Sequence, residues 1–125
     1  MKMRVQNNSI RIRLTRSEVE DFARDGRASA SLRFGGDSTL TYTLQSAGAL
    51  DAMQAVFTES EIHIRVPEAM AREWSGGDEV GMHGSQTLDN GELLDVVVEK
   101  DFQCLHKGEA AKDPDAYPNP LESPR

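Results

Sequence analysis

The chain has 125 residues, one domain's length and enough to bury a core. Its net charge of −7 excludes a protein that binds nucleic acid over its whole surface, because phosphate contacts need a basic field. Cys104 is the one cysteine, which excludes an intrachain disulfide.

Hydrophobic residues make up 38% of the chain and aromatic ones 6%, so the expected core is small. Charge is unevenly spread: Lys2, Arg4, Arg11, Arg13 and Arg16 precede any acid, and everything after them is strongly acidic. The start of the chain lacks the apolar run of a signal peptide and no stretch approaches a membrane span, so a cytoplasmic protein is expected.

Met1, Met3 and Val5 alternate with Lys2 and Arg4, and Ile10, Ile12 and Leu14 alternate with Arg11 and Arg13. Turn residues separate the two runs, which predicts a hairpin with one buried face. Thr15 with Glu18 three residues on is a capping box, and Leu14 and Val19 are placed as its hydrophobic staple. Val19, Phe22 and Ala23 form the buried stripe of a helix that Gly26 ends. A second hairpin follows, with Ala28, Ala30, Leu32 and Phe34 on one strand, a Gly35-Gly36-Asp37-Ser38 turn, then Leu40, Tyr42 and Leu44. Ile62, Ile64 and Val66 mark another strand, and Pro67 suits the first turn of a helix carrying Met70, Ala71 and Trp74. Gly76-Gly77 stop that helix, and Val80 and Met82 open the next strand. Asp89-Asn90-Gly91 is a tight hairpin turn leading into Leu94, Val96 and Val98.

A shift of 52 residues brings the pattern back on itself: Met1 falls on Met53, Val5 on Phe57, Ile10 on Ile62, Leu14 on Val66 and Phe22 on Trp74. After a small insertion, Leu40, Tyr42 and Leu44 correspond to Leu94, Val96 and Val98. We read an internal duplication of a strand–strand–helix–strand–strand unit. The expected fold class is α+β, mainly antiparallel β: a pseudo-symmetric barrel or barrel-like sandwich built from a duplicated ββαββ unit with two short helices. Residues 1–105 are the single globular domain, with repeat one at 1–45 and repeat two at 53–99. Positions 106–125 hold four of the five prolines and are expected to form a C-terminal tail that adds little to the fold.

Two places suggest chemistry. Arg11, Arg13, His63 and Arg65 are the outward residues of two strands made equivalent by the duplication. Brought together, they would suit a phosphate or carboxylate. The alternative is internal neutralisation by Asp95 and Glu99, and this is the expected one. Cys104 and His106, with Asp101 nearby, place soft ligands on one side of an extended segment, as a zinc or nickel site or a Cys–His nucleophile pair would need. His63 and His83 could complete a metal set if the fold brought them close. Otherwise Cys104 is a small buried hydrophobe and His106 a solvated side chain. The glycine pairs are turns, since neither phosphate-loop nor dinucleotide-binding spacing is present.

Val66-Pro67, the helix through Trp74, and Gly77-Asp78 before Val80 resemble the repeat unit of cradle-loop barrels, the group of double-psi and swapped-hairpin barrels. In the first repeat Thr15 replaces the proline and Gly26-Arg27 the Gly-Asp pair. Taken whole, the chain is similar to a small bacterial family of uncharacterised proteins. The likeness rests on Asn8-Ser9-Ile10-Arg11 with Arg13-Leu14, Val98-Glu99-Lys100-Asp101-Phe102 with Cys104-Leu105, and Tyr117-Pro118-Asn119-Pro120. That family implies no activity.

The expected function is a non-catalytic binding or interaction module with no cofactor, whose partner, another protein or a second copy, is left open. A small anion-binding or metal-dependent enzyme is the alternative. A DNA-binding regulator, suggested by analogy with swapped-hairpin barrels, ranks third, and nucleic acid and membrane are not expected partners.

Overall fold

Period-2 alternation and the turn residues generate four hairpin strand pairs, and the structure assembles them crosswise. The structure, a computed structural model, describes residues 1–104 and 117–119, with backbone alone at 102–104 and 117–119. The strands are β1 (Lys2–Gln6), β2 (Ser9–Leu14), β3 (Arg27–Gly35), β4 (Ser38–Ala47), β5 (Gln54–Thr58), β6 (Glu61–Pro67), β7 (Gly81–Thr87), β8 (Leu93–Lys100), β9 (Phe102–Cys104) and β10 (Tyr117–Asn119). Helix α1 (Arg16–Asp25) follows β2 and α2 (Glu68–Gly76) follows β6.

One sheet has the order β1-β2-β8-β7 and the other β3-β4-β6-β5, so each takes one hairpin from each half of the chain. The outer pairs are antiparallel, and the central pair of each sheet is parallel, a feature that the hairpin pattern alone does not foresee. Ile12 faces Val98 in one central pair, and Leu44 faces Ile64 in the other. The α+β class holds. The barrel does not: the two sheets stay open and separate, because no backbone ladder joins β1 to β3 or β5 to β7. Beyond β8, β9 pairs in parallel with β10, and the rest of the expected tail lies outside the described residues.

Both helices leave from the ends of β2 and β6 and close one end of the sheet pair. Thr15 and Glu18 form the capping box of α1, and Gly26 ends that helix at φ 74°, a left-handed conformation that glycine adopts without steric cost. Val19 and Phe22 from α1 and Ala71 and Trp74 from α2 join Ile12, Leu14, Leu44, Ile64, Val66, Met82, Val96 and Val98 in one buried core. Burying Phe22 and Trp74 contributes about 2–3 kcal/mol each. The Trp74 indole N–H is satisfied by the Val80 carbonyl at 3.0 Å. Among the described residues no helix is long and apolar enough to cross a membrane.

All four hairpin turns lie at the opposite end from the helices, as the parallel central pairs require. Among the described residues, no helix covers the inner-face residues there. The side of the sheet pair bounded by β5 and β7 is fastened. Gly84 leaves room for Met53, which a Cβ would strike at 2.7 Å. Gln86 binds the backbone of Ala55 at both groups: the Ala55 N–H donates to its Oε1 and its Nε2 donates to the Ala55 carbonyl, each at 3.0 Å.

Candidate functional site

Arg11 and Arg13 project from the outer face of β2 because Ile12 and Leu14 take the inner one. Glu99 on β8 receives both, from Arg11 Nη1 at 2.6 Å and Arg13 Nε at 3.1 Å. The expected internal pairing is therefore made by Glu99, while Asp95 accepts instead from the Ser85 hydroxyl. His63 and Arg65 lie on β6, in the other sheet, with Ile64 and Val66 buried between the sheets. Their outward faces point away from those of Arg11 and Arg13, so the structure does not bring these four groups together. His63 Nε2 meets Glu61 at 3.0 Å, and its buried Nδ1 has no partner.

Asp101 pairs with Lys2 at 2.9 Å, and its backbone N–H donates to the Leu14 carbonyl. Cys104 is in β9, its side chain and His106 lying outside the described residues. His63 and His83 are on different sheets. Among the described residues no group of three His, Cys, Asp or Glu side chains could hold a metal ion.

What the sequence reading missed is the end of the sheet pair away from the helices. Val5, Leu32 and Phe57 continue the inner-face rows of β1, β3 and β5 past the core, and are 62%, 51% and 68% exposed. Phe34, at the bulge of β3, is 69% exposed. Beside them Ile10 and Leu94 of one sheet and Ala55, Phe57 and Ile62 of the other line a cleft of about 250 Å³. The usable signal was geometric: two short helices cover one end of four hairpins, and the apolar alternation runs on to the turns at the other.

A family model covers residues 1–121. The chain belongs to DUF7009, a family of unknown function. Neither a curated protein nor a solved structure matches it. For this DUF7009 chain, then, the surface itself is the guide to function. On the outer face of β2 Arg11 and Arg13 are met by Glu99, and Lys2 by Asp101, while the open end presents apolar side chains that no described residue covers.

Proposed function

We propose that this protein is a non-catalytic binding module that engages a segment of another protein at the open end of its sheet pair. The reading is supported by the exposure of Val5, Leu32, Phe34 and Phe57 around an apolar cleft. Large side chains left in water forgo about 1.5–3 kcal/mol each of burial, and clustered ones mark interaction surfaces more often than isolated ones do. A photo-crosslinking amino acid at position 57 tests it in cells, with Gln45, on the outer face of β4, as the control position. Defined adducts at 57, absent at 45 and lost when Leu32→Asp is added, are expected. Equal labelling at the two positions would sink the reading.

We also propose that the chain is a tandem duplication of the ββαββ unit at 1–45 and 53–99. The two central registers support this. Ile10 and Ile12 oppose Val96 and Val98, while Ile62 and Ile64 oppose Tyr42 and Leu44, each position 52 or 54 residues from its counterpart. A duplicated unit should complete itself with a second copy. The second half expressed alone is expected to dimerise through β6 and β8, and a monomeric, unfolded fragment would count against it.

A further inference from the structure

We propose that the open side of the sheet pair, along β1, takes up an extended polypeptide segment of alternating apolar and acidic residues as an added strand. The proposal rests on the binding-module reading and names its partner class and mode.

The first observation is the direction of backbone groups. The two-residue turn Asn7-Asn8 makes Gln6 and Ser9 the closing pair of the hairpin, which exchanges both hydrogen bonds. Bonded and non-bonded pairs alternate from there, so Arg4 and Lys2 bond to β2, while Val5 and Met3 turn their N–H and C=O groups outward. Ala55 holds the same place in the β5–β6 hairpin, whose closing pair is Thr58 and Glu61, and there the outward groups are bound by Gln86. By the 52-residue correspondence, the counterpart of Ala55 is Met3. The register of β3 on β4 puts Leu32, an apolar residue with no hydrogen-bonding group, where β7 has Gln86. One side of the sheet pair is fastened by a side-chain amide; the other offers the same backbone groups with no described residue bonded to them.

The second observation is charge. Arg4 on β1 and Arg27 and Arg33 on β3 are exposed, and none has an ion pair among the described residues. A strand laid beside β1 would place alternate side chains against Val5 and Leu32 on the inner face and against Arg4 on the outer one. The inner positions call for apolar residues and the outer for carboxylates. A second copy pairing through its own β1 would set arginine and lysine against arginine and lysine, which is destabilising. Tyr42 donates to the Met1 carbonyl at 2.8 Å and holds β1 near β4 at the helix end, so the opening lies toward Val5.

The test uses the full chain and an acetylated decapeptide of alternating valine and glutamate, with its valine–lysine counterpart as control. Binding of the acidic peptide is expected to slow hydrogen exchange at the Met3 and Val5 amides and to be at least tenfold tighter than that of the basic one. Val5→Pro removes an outward donor without touching the β1–β2 ladder and should weaken the acidic peptide at least tenfold. Arg4→Glu with Arg33→Glu should reverse the preference. Affinity unmoved by these substitutions would overturn the proposal, as would a peptide that perturbs no amide at millimolar concentration. Exchange protection of β1 that grows with protein concentration alone would replace the acidic segment with a second copy. Perturbation around Phe57 and Leu94 with Met3 and Val5 still exchanging freely would overturn strand addition and leave the binding-module reading standing.

Discussion

The Lys100 ammonium stands 5.9 Å from the centre of the Trp74 ring and donates to the Gly77 carbonyl at 2.9 Å. The carbonyl ends of α2 carry partial negative charge, and the helix has no basic residue of its own in its last turn. Lysine from β8 supplies it. Lys100 is only 7% exposed and makes both contacts from within the fold. Lys100→Met keeps the aliphatic stem and should cost about 1–3 kcal/mol, the range for a hydrogen bond to a charged group with a cation–π contact. Urea unfolding measures it; an unchanged midpoint would show that the ammonium contributes nothing.

Phe22 and Trp74 meet edge to face with centroids 6.0 Å apart and planes at 66°. Both are buried, one from each helix. Trp74→Ala should cost about 3–5 kcal/mol and Phe22→Ala a similar amount. A double-mutant cycle should return a coupling of about 0.5–1.5 kcal/mol for the ring pair itself. Additive losses would mean that the rings stabilise the core only by the area each buries.

Glu18 joins the capping box to the chain terminus. Burial raises its pKa, but the hydrogen bond and charge of the Met1 ammonium, with bonds from Thr15, outweigh this and hold it below the usual carboxylate value. A carboxyl lowered on folding adds stability above its unfolded pKa and gives it up as pH falls through the folded one. The loss should therefore begin near pH 4.5 and deepen below it. Glu18→Gln still accepts from the Thr15 N–H and should flatten this part of the stability–pH curve. Thr15→Ala should cost about 1 kcal/mol, as the loss of an N-cap does. Parallel curves for wild type and Glu18→Gln would rule out the charge contribution.

Glu99 serves two arginines at once, and both are partly exposed. Arg13→Ala should cost no more than about 1 kcal/mol, and phosphate should leave the melting temperature of that variant and of wild type alike unchanged. Glu99→Ala uncovers Arg11 and Arg13 beside Arg4 and should make the melting temperature rise with phosphate. Phosphate stabilisation of the wild type that vanishes in Arg13→Ala would instead make this face an anion site.

Local order was legible in the sequence because it is set by near neighbours. The capping box at Thr15 and Glu18, the helix stop at Gly26, the start after Pro67 and the hairpin turn between β1 and β2 follow from side chains a few residues apart. The partnering of hairpins was not. Ile12 next to Val98 and Leu44 next to Ile64 are choices between surfaces of equal alternation, and a barrel satisfies the pattern as well as two open sheets do. The difference lies at the edges, where Gln86 substitutes for a ladder on one side, while on the other Leu32 offers no such group and the described residues leave the Met3 backbone unbonded. The Glu99 bridge was readable as charge on alternating outward positions, whereas the exposure of Phe57 depended on where the helices end.

The crosswise assembly bears on how the chain is made. The sheet β3-β4-β6-β5 draws on one continuous stretch, residues 27–67, and can form once that stretch has left the ribosome. The β1–β2 hairpin must wait for β8, at Leu93–Lys100, before Ile10, Ile12 and Leu14 are covered on that flank. An apolar hairpin held unpaired while the intervening residues are made is an aggregation hazard, and charged residues on its strands are the usual protection. Lys2, Arg4, Arg11 and Arg13 lie on those strands, in a chain that is otherwise acidic. On this account the basic start of the chain guards a nascent strand pair before it serves the folded protein. Pulse-labelled exchange during refolding should then find β6 amides protected before those of β2.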